Sequence, residues 1–420
     1  MTIAKLGTTC FSVWIALLPA LMPPMASPAT KRQSASAISD KAKQAALAHI
    51  QELAERTGVI ENPAALVPFF EQLSPASTAP IHILHYGDSH TASDDWADAM
   101  RQGLQSRFGA GGPGFALAGH PYRGYRRYDL SSAGSEGWLT EGTVGHLGDG
   151  RNGLGGVSIS TRETGRTASI NIECSDLAIF YLQQPGGGQL EFLVNDVPTE
   201  LISTDGDLGA GVFQFKPPSG AHQYMLRTIS DSPVKLFGWA AQNQSGVTYE
   251  TLGINGAQAA MLLDWDEKIL ASEIAQRDPA LIVLAYGTNE AISPKWDSVS
   301  YSAAFGQLLD RFRRAAPTAA ILVVGPPDCQ FRLRQRHLSY PHLTDVIDAQ
   351  RSVALAHGCA FWDWRARMGG KGSVTEWFRA GLGQPDHVHL TGAGYHLIGR
   401  MLLNDMLGQY SLFQAAKSEE

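Results

Sequence analysis

Apolar and polar positions follow a helical period at the beginning of this chain and then a strand-like period. After a polar stretch over 30–39, which we expect to be a linker, apolar residues recur every three to four positions between Asp40 and Arg56, which predicts a helix. Ile81–Tyr86 is a short, mostly apolar run typical of a strand, and a helical pattern over Thr91–Arg107 follows it. A strand, a sharp turn and a helix form the first half of a βαβ unit.

The middle of the chain has no helical pattern. Short apolar runs, separated by turn signals rich in Gly, Pro, Asn and Asp, predict a series of strands. The predicted strands are Val157–Ser160, Ala168–Glu173, Leu177–Leu182, Gln189–Val194, Gly211–Phe215, Tyr224–Ile229 and Val234–Trp239. Their length and spacing are typical of a β-sandwich or jelly roll.

After Ser245, buried strands alternate with amphipathic helices. The predicted elements are the helices Ala257–Ile274, Val299–Ala316 and Asp345–His357 and the strands Leu281–Tyr286, Ile321–Gly325 and Cys359–Asp363. Continuous apolar strands of this kind predict a parallel sheet covered by helices on both faces. We therefore expect a three-layer α/β/α, flavodoxin-like domain in two parts, residues 30–128 and 246–420, with an all-β sandwich inserted over residues 129–245.

The composition is that of a globular protein and limits the partners. Hydrophobic residues make up 44% of the 420 residues and charged residues 17%, with a net charge of -7. There is no Lys/Arg stripe, so we expect no nucleic-acid partner. No pattern predicts an oligomeric state.

The N-terminal residues predict a targeting segment. Lys5 precedes the apolar stretch Phe11–Met22, and small residues follow as far as Ala29. This pattern indicates a signal peptide over residues 1–29, and hence a periplasmic or secreted protein with no membrane span after cleavage. Cleavage after Ala26 and an uncleaved membrane anchor are the alternatives.

Export would place Cys174, Cys329 and Cys359 in an oxidising compartment. Cys329 and Cys359 each lie beside a predicted strand end, so a disulfide between them is conceivable. Three cysteines cannot all pair within one chain. We expect three buried free thiols.

Three separate segments carry candidate catalytic residues. Ser89 lies in the turn after the first α/β strand, where its hydroxyl and its backbone N–H are presented at a helix N-terminus. Asn289 follows another buried strand, where its side chain could donate a hydrogen bond to an oxyanion or cap the next helix. Asp386 precedes His389 by three residues, so its carboxylate can orient the imidazole. Each signal alone is weak, but all three are predicted where an α/β sheet has its active site.

In this order the segments resemble the SGNH/GDSL hydrolases, whose four blocks supply Ser, Gly, Asn and Asp-x-x-His. Ser89 matches the first block, Asn289 the third, and Asp386 with His389 the last. The Gly block resembles the segment 253–257, in which Gly256 is the better candidate for a backbone donor. Gly253 is the alternative.

A narrower resemblance is to the periplasmic peptidoglycan O-acetylesterases. It is carried by His90 after the serine, by the segments 107–115 and 253–257, and by the β-unit inserted before the Gly block. It implies a Ser89–His389–Asp386 triad that removes the acetyl group from the C6 hydroxyl of N-acetylmuramic acid. It also implies an oxyanion hole formed by the N–H groups of Ser89 and Gly256 and by the Asn289 side chain. The insert is then similar to a carbohydrate-binding module, the partner is an acetylated cell-wall polysaccharide, and no metal or cofactor is required.

Other functions stay open at this point. A metal-dependent phosphoesterase is one, because the chain holds the histidines His82, His85, His90, His387 and His389. Such a site needs several ligands converging on two ions, and the further Asp-x-His and Gly-His-x-His elements are missing. A non-catalytic glycan-binding protein, an acetyltransferase with the same triad and an esterase for another acetylated polysaccharide are the remaining alternatives.

Residues near the predicted domain junctions could contact a glycan, although packing or solvent exposure would also explain them. The candidates for stacking on sugar rings are Tyr122, Tyr125, Tyr128, Trp138 and Trp239. The candidates for binding a polyanion are Arg123, Arg126 and Arg127.

Overall fold

Helix α1 begins at Pro28, the first residue for which the computed structural model describes the chain; the described ranges are 28–73, 78–144 and 148–419. The predicted signal peptide, residues 1–29, therefore lies outside the described residues except for its last two positions. Two units are distinguished, residues 1–42 and Lys43–Glu420. Because α1 spans Pro28–Glu55, the stretch 30–39 is helical and not the linker that we expected. It contains no glycine or proline that would end a helix.

Six strands form the predicted parallel sheet: β1 (Ile60–Glu61), β2 (Pro80–Gly87), β14 (Gly246–Gly253), β15 (Pro279–Ala285), β16 (Ala320–Val324) and β19 (Ala360–Trp362). Their order across the sheet is β1-β19-β16-β15-β2-β14. Neighbours are parallel except for the short edge strand β1, which pairs antiparallel with β19. Strand β14 was not predicted, because its Thr, Glu and Gly residues give no apolar run although all eight positions are buried.

Helices cover both faces of this sheet. Besides α1 they are α2 (Val67–Gln72), α3 (Ser89–Ala92), α4 (Asp95–Phe108), α5 (Glu267–Arg277), α6 (Thr288–Ala291), α7 (Ser298–Ala315), α8 (Leu343–Ala356), α9 (Trp364–Arg367), α10 (Ser373–Arg379) and α11 (Gly392–Glu419). In β2, Leu84 and Tyr86 point into a core shared with α5, α7 and α8, whereas Ile81 and Ile83 point into a core shared with α2, α4 and α11. Burial on both faces explains why the strand is nearly all apolar.

Most of the remaining strands form two antiparallel sheets. They are β3 (Gly114–Leu117), β4 (Ser131–Gly134), β5 (Leu139–Gly142), β6 (Val157–Thr161), β7 (Thr167–Ile172), β8 (Asp176–Gln183), β9 (Gln189–Val194), β10 (Val197–Ser203), β11 (Gly209–Phe215), β12 (His222–Thr228) and β13 (Val234–Gln242). One sheet has the order β10-β9-β12-β7-β4 and the other the order β11-β8-β13-β6-β5, with β3 also paired to β13. Strands β17 (Gln330–Leu333) and β18 (Arg336–Ser339) form a separate hairpin.

The two antiparallel sheets pack face to face as a sandwich. Side chains of both, such as Phe192 and Ile179, share one core. The opposite face of the β11-β8-β13-β6-β5 sheet carries Phe180 and Phe237, which lie in the same core as Tyr86 of the parallel sheet. The fold class predicted from the sequence, an α/β/α domain with an inserted β-sandwich, is confirmed. The boundaries at residues 128 and 245 stay predictions.

Two local expectations have clear outcomes. The expected helix Ala257–Ile274 is instead a 3-10 helix over Ala259–Asp264 followed by α5, because the Asp266 carboxylate accepts hydrogen bonds from two backbone N–H groups and starts a new helix. All three cysteines within the described ranges are free and buried, as expected. Within those same ranges, no helix combines the length and the apolar character needed to cross a membrane.

Candidate active site

Ser89 is the first residue of α3, directly after the carboxyl end of β2. Asp88 caps this helix, since its Oδ1 accepts a hydrogen bond from the backbone N–H of His90 at 2.9 Å. Gly87 permits the tight turn, because a Cβ atom there would lie 2.1 Å from Thr91 Oγ1 and 2.8 Å from the Ala285 carbonyl oxygen. The turn presents the Ser89 hydroxyl at the edge of the sheet, where the strands of a doubly wound fold end.

His389 and Asp386 lie on the loop before α11 and reach Ser89 from 300 positions further along the chain. The Ser89 Oγ and His389 Nε2 atoms are 2.9 Å apart. His389 Nδ1 and Asp386 Oδ2 are 2.7 Å apart. The other carboxylate oxygen, Asp386 Oδ1, accepts hydrogen bonds from the backbone N–H groups of Val388 and His389. The loop thus holds the carboxylate against one nitrogen of the imidazole and leaves the other nitrogen for the hydroxyl.

The two acids on either side of Ser89 have opposite pKa shifts. Partial burial disfavours the charged form of Asp386, but the hydrogen bonds from His389 and from two backbone N–H groups outweigh it and lower the pKa of Asp386. Complete burial raises the pKa of Asp88 to about 6, although the backbone hydrogen bond from His90 opposes the rise. The lowered pKa keeps Asp386 ionised beside the imidazole at neutral pH.

His90 packs beside the His389 ring. The two ring centroids are 5.2 Å apart, and His90 Nδ1 lies 2.8 Å from the hydroxyl of the buried Tyr395. Burial lowers the pKa of His90 well below its usual value, and the nearby His389 lowers it further. A neutral, packed imidazole thus occupies the position after Ser89.

Asn289 lies at the start of the short helix α6, next to the segment 253–257. Its Nδ2 donates to the Ala257 carbonyl oxygen at 2.9 Å, and Gln258 Nε2 donates back to the Asn289 carbonyl oxygen at 3.2 Å. An amide nitrogen carries two hydrogens, so one N–H of Nδ2 remains to donate to a ligand. These two bonds join the Gly and Asn segments into one wall of the site.

Gly256, and not Gly253, has the environment of a free backbone donor. Gly256 lies at a turn closed by the Ala257 N–H to the Ile254 carbonyl, has φ +76° and has open space where a Cβ would stand. Within the described part of the chain, no acceptor is recorded for its N–H. Gly253, in contrast, ends β14 and is pressed against Ala92 of α3.

Glu290, the residue after Asn289, also links the Asn segment to the chain that follows the Gly segment. Its Oε1 accepts the Ala259 N–H at 2.8 Å, whereas Oε2 is buried without a hydrogen-bond partner among the described residues. Burial raises the pKa of Glu290 to about 7, and the neighbouring Asp88 adds to the rise although several backbone hydrogen bonds oppose it. Glu290 was not predicted as a site residue, although its position directly after Asn289 was the available signal.

An open polar groove of about 500 Å³ runs beside Ser89 and His389. Asp95, Arg126, Tyr128 and Asn255 are among the residues that line it. The groove therefore offers charge and an aromatic ring within reach of the candidate triad, in a shape open enough for a polymer.

The histidines proposed as metal ligands are dispersed among other partners. His82 pairs with Thr248, Glu250 and Arg277, and His85 packs against Trp96 and Tyr249. His387 stacks on His337. In the described residues, no three His, Cys, Asp or Glu side chains are grouped to hold a metal ion.

The residues considered as glycan contacts differ in burial, and only some of them line the groove. Trp239 is buried in the sandwich core, Tyr125 is buried with its hydroxyl accepting the Leu117 N–H, and Arg127 is buried against Asp129. Tyr122 and Trp138 are partly buried, with hydrogen bonds to the carbonyl groups of Gly253 and Thr167. Arg123 is exposed. Tyr128 and Arg126 are the two of these candidates that line the groove.

The fold and this arrangement of residues define a carboxylic ester hydrolase. Residues 229–397 match the family model described as GDSL-like lipase/acylhydrolase. The matched span includes the Gly, Asn and Asp-x-x-His segments but not Ser89, which the inserted sandwich separates from them. Over residues 229–397 the chain therefore resembles the GDSL-like hydrolases, and the resemblance predicted from the sequence is confirmed.

A search of curated protein sequences found no match. Among solved structures, the chain is similar to a peptidoglycan O-acetylesterase, with 26% identity, a TM-score of 0.70, and coverage of 82% of this chain and 96% of that one. It is also similar to a family two carbohydrate esterase from Clostridium thermocellum, with 12% identity, a TM-score of 0.31, and coverage of 61% and 96%.

Proposed function

We propose that this esterase removes O-acetyl groups from a cell-wall glycan, specifically the C6 O-acetyl group of N-acetylmuramic acid in peptidoglycan. Ser89, His389 and Asp386 are the proposed triad. The observation that carries the proposal is the hydrogen-bond chain from Ser89 Oγ to His389 Nε2, 2.9 Å, and from His389 Nδ1 to Asp386 Oδ2, 2.7 Å.

The first chemical step is attack by Ser89 on the acetyl carbonyl carbon. Asp386 accepts the Nδ1–H of His389, so that Nε2 is free to take the hydroxyl proton as the C–O bond forms. The carboxylate then stabilises the imidazolium. The imidazolium returns the proton to the C6 oxygen of the sugar, which leaves as the alcohol, and the acetyl group remains on Ser89.

The negative charge that develops on the carbonyl oxygen needs donors that are in place before the reaction. We assign this role to the backbone N–H groups of Ser89 and Gly256 and to the Asn289 side chain. The free N–H of Gly256 and the second hydrogen of Asn289 Nδ2 support the assignment. Such preorganised donors typically stabilise the transition state of acyl transfer more than any other single group.

The second step repeats the first with water in place of the serine hydroxyl. His389 takes a proton from the water that attacks the acetyl-enzyme, and acetate leaves as Ser89 regains its proton. The open groove gives water access to the acyl group. If a sugar hydroxyl took the place of water, the same groups would transfer the acetyl group instead.

The similarity to a peptidoglycan O-acetylesterase supports the choice of substrate, because it extends over 96% of that chain at a TM-score of 0.70. The polar groove is also suited to a glycan. We further infer that residues 1–29 direct export and are removed, so that the enzyme meets its substrate in the periplasm or outside the cell. The N-terminal sequence of the protein purified from the producing cell tests this.

The experiment is acetate release from O-acetylated peptidoglycan, acetylated xylan and a small aryl acetate, comparing the wild type with Ser89→Ala. We expect the wild type to prefer peptidoglycan and Ser89→Ala to lose activity on all three. Ser411→Ala, on the exposed side of α11, is the matched control and should behave as the wild type. Equal release by Ser89→Ala would refute the mechanism, a preference for xylan would refute the substrate, and acetate on an added sugar would identify transfer.

A further inference from the structure

The loop between β3 and β4 alternates buried and exposed residues beside the groove. Tyr125 and Arg127 point inward and are buried, whereas Arg126 and Tyr128 point outward and are exposed. Buried polar groups must each find hydrogen-bond partners, so Tyr125 and Arg127 hold the loop in one conformation. This conformation leaves Arg126 and Tyr128 facing outward beside the groove.

The anchors fix the loop to the first antiparallel strand. The Tyr125 hydroxyl accepts the Leu117 N–H at 2.9 Å. Arg127 donates to the Phe115 carbonyl at 2.6 Å and the Pro113 carbonyl at 2.8 Å, and also pairs with Asp129. A guanidinium with this many partners has little freedom, so the backbone on either side of Arg127 is held in place.

A second anchor ties the loop to the start of α4, close to Ser89. The Oδ2 atom of Asp94 accepts the backbone N–H of Tyr128 at 2.7 Å, while its Oδ1 accepts hydrogen bonds from Arg101 and Thr251. Asp94 has φ +62°, a left-handed conformation that aspartate adopts more readily than most residues other than glycine. The buried network thus fixes Tyr128 relative to the helix that follows the candidate nucleophile.

The outward side chains contact each other and Asp95. The Tyr128 hydroxyl donates to Asp95 Oδ1 at 3.0 Å, and the Arg126 guanidinium lies 5.8 Å from the centre of the Tyr128 ring. The side chain of Arg126 is 55% exposed, and its one hydrogen bond to described residues goes to the Tyr128 hydroxyl at 3.1 Å. The Asp95 carboxylate is 3.8 Å from the guanidinium, too far for a hydrogen bond. Since a guanidinium carries five N–H donors, most of those of Arg126 remain free to bind a ligand in the groove.

We propose that Arg126 and Tyr128 form a subsite for an acidic glycan, in which Tyr128 contacts the sugar ring and Arg126 binds a carboxylate on a substituent of that ring. This inference rests on the proposed function. A muramic acid residue carries its carboxylate on the lactyl ether at C3, or, where a stem peptide is attached, on that peptide. A planar guanidinium binds a carboxylate through two parallel hydrogen bonds, whereas a neutral acetylated xylan offers it no such partner.

The experiment compares three 6-O-acetylated muramoyl disaccharides. One carries the stem peptide, one has the free lactyl carboxylate that remains after an amidase removes the peptide, and one has this carboxylate blocked as a neutral methylamide. The kcat and KM for acetate release are measured for the wild type, Arg126→Gln, Arg126→Lys and Tyr128→Ala. Arg123→Gln is the matched control, since it removes the same charge from an exposed position of the same loop that does not line the groove.

We expect Arg126→Gln to raise KM for the acidic substrate that fits the subsite by about 10-fold relative to the methylamide. The value of kcat should stay nearly unchanged, because the charge-assisted hydrogen bond is lost from the ground state and the transition state alike. Arg126→Lys should restore part of this difference. Tyr128→Ala should raise KM for all three substrates. Whichever acidic substrate responds, stem-bearing or stem-free, identifies the source of the carboxylate.

Two failures are distinguishable. A wild type that deacetylates the muramoyl substrates, combined with an Arg126→Gln variant that treats acidic and neutral substrates as the wild type does, would overturn the subsite alone. An equal change in Arg123→Gln would also overturn it, because general attraction of an anion would then explain the effect. A wild type that cleaves an aryl acetate but none of the muramoyl substrates would overturn the proposed function, and the subsite with it.

Discussion

Replacing Asp386 with asparagine reverses one hydrogen bond of the proposed triad and leaves its shape unchanged. Asp386 Oδ1 accepts two backbone N–H groups, at 2.9 and 3.0 Å, and Oδ2 accepts from His389 Nδ1. In the variant, the amide oxygen must stay with the two backbone donors, so the NH₂ group faces Nδ1. The imidazole then has to accept at Nδ1 and carry its proton on Nε2, where it cannot take the proton of Ser89.

Two contributions give the size of the effect. Turning the amide over would restore the productive tautomer, but would break two backbone hydrogen bonds of about 1 kcal/mol each. The lost attraction between carboxylate and imidazolium adds about 2 kcal/mol, a value between those for water and for a protein surface, because the Asp386 side chain is 45% exposed. The sum of about 4 kcal/mol corresponds to a fall of about 1000-fold in kcat/KM.

The assay is hydrolysis of a small aryl acetate between pH 6 and pH 8, with circular dichroism to verify folding. Asp345→Asn is the control, because His342 and Asp345 form another His–Asp pair at the same spacing, with 3.6 Å between Nδ1 and Oδ2. We expect this control to retain full activity. A folded Asp386→Asn enzyme that kept more than about a tenth of the wild-type kcat/KM would refute the reasoning, since the loss of carboxylate attraction alone predicts a larger fall.

Three further outcomes are expected. Asn289→Ala should lower kcat by about 100- to 1000-fold in the same assay, as the loss of one oxyanion donor does; an unchanged kcat would remove Asn289 from the oxyanion hole. Glu273 is buried and accepts a hydrogen bond from the Leu154 N–H, and burial raises its pKa to about 8. Because the folded state holds this proton more tightly than the unfolded chain, the free energy of unfolding should fall as pH rises from about 4.5 to about 8. Glu273→Gln should abolish that part of the pH dependence, measured by urea unfolding. Arg101→Met leaves Asp94 buried without its cation and should lower the free energy of unfolding by about 3–5 kcal/mol, measured in the same way; a change below about 1 kcal/mol would contradict it.

Elements were predicted best where buried positions were either continuous along a strand or alternated with exposed ones. Strands buried on both faces, such as β15 and β16, are continuous apolar runs, and the sandwich strands alternate. Strand β10 was missed because it is an edge strand with six of its seven residues exposed. Strand β14 was missed for the opposite reason, since its buried Thr248 and Glu250 are paired with His82 and Arg277 from distant parts of the chain. Pairing of this kind depends on tertiary contacts that no local pattern reports.

In the candidate site, too, some residues could be identified from the sequence and others could not. Ser89, Asn289, Asp386 and His389 could be singled out because each lies in a short motif after a strand or before a helix, and hydrogen bonds join Ser89, His389 and Asp386 in the structure. The groove residues could not be ranked, because Arg126 and Arg127 are neighbours of the same type. Only the buried carbonyl partners of Arg127 decide which of the two faces the groove.

The distance along the chain between Ser89 and His389, 300 residues, has a consequence for biosynthesis. A ribosome adding roughly 5–20 residues per second needs about 15–60 s to pass from the serine to the histidine. Throughout that interval the growing polypeptide holds a hydroxyl without a base. Every prematurely terminated product that stops before His389 is therefore expected to be inert towards esters, and activity in a lysate reports only chains that extend beyond this histidine.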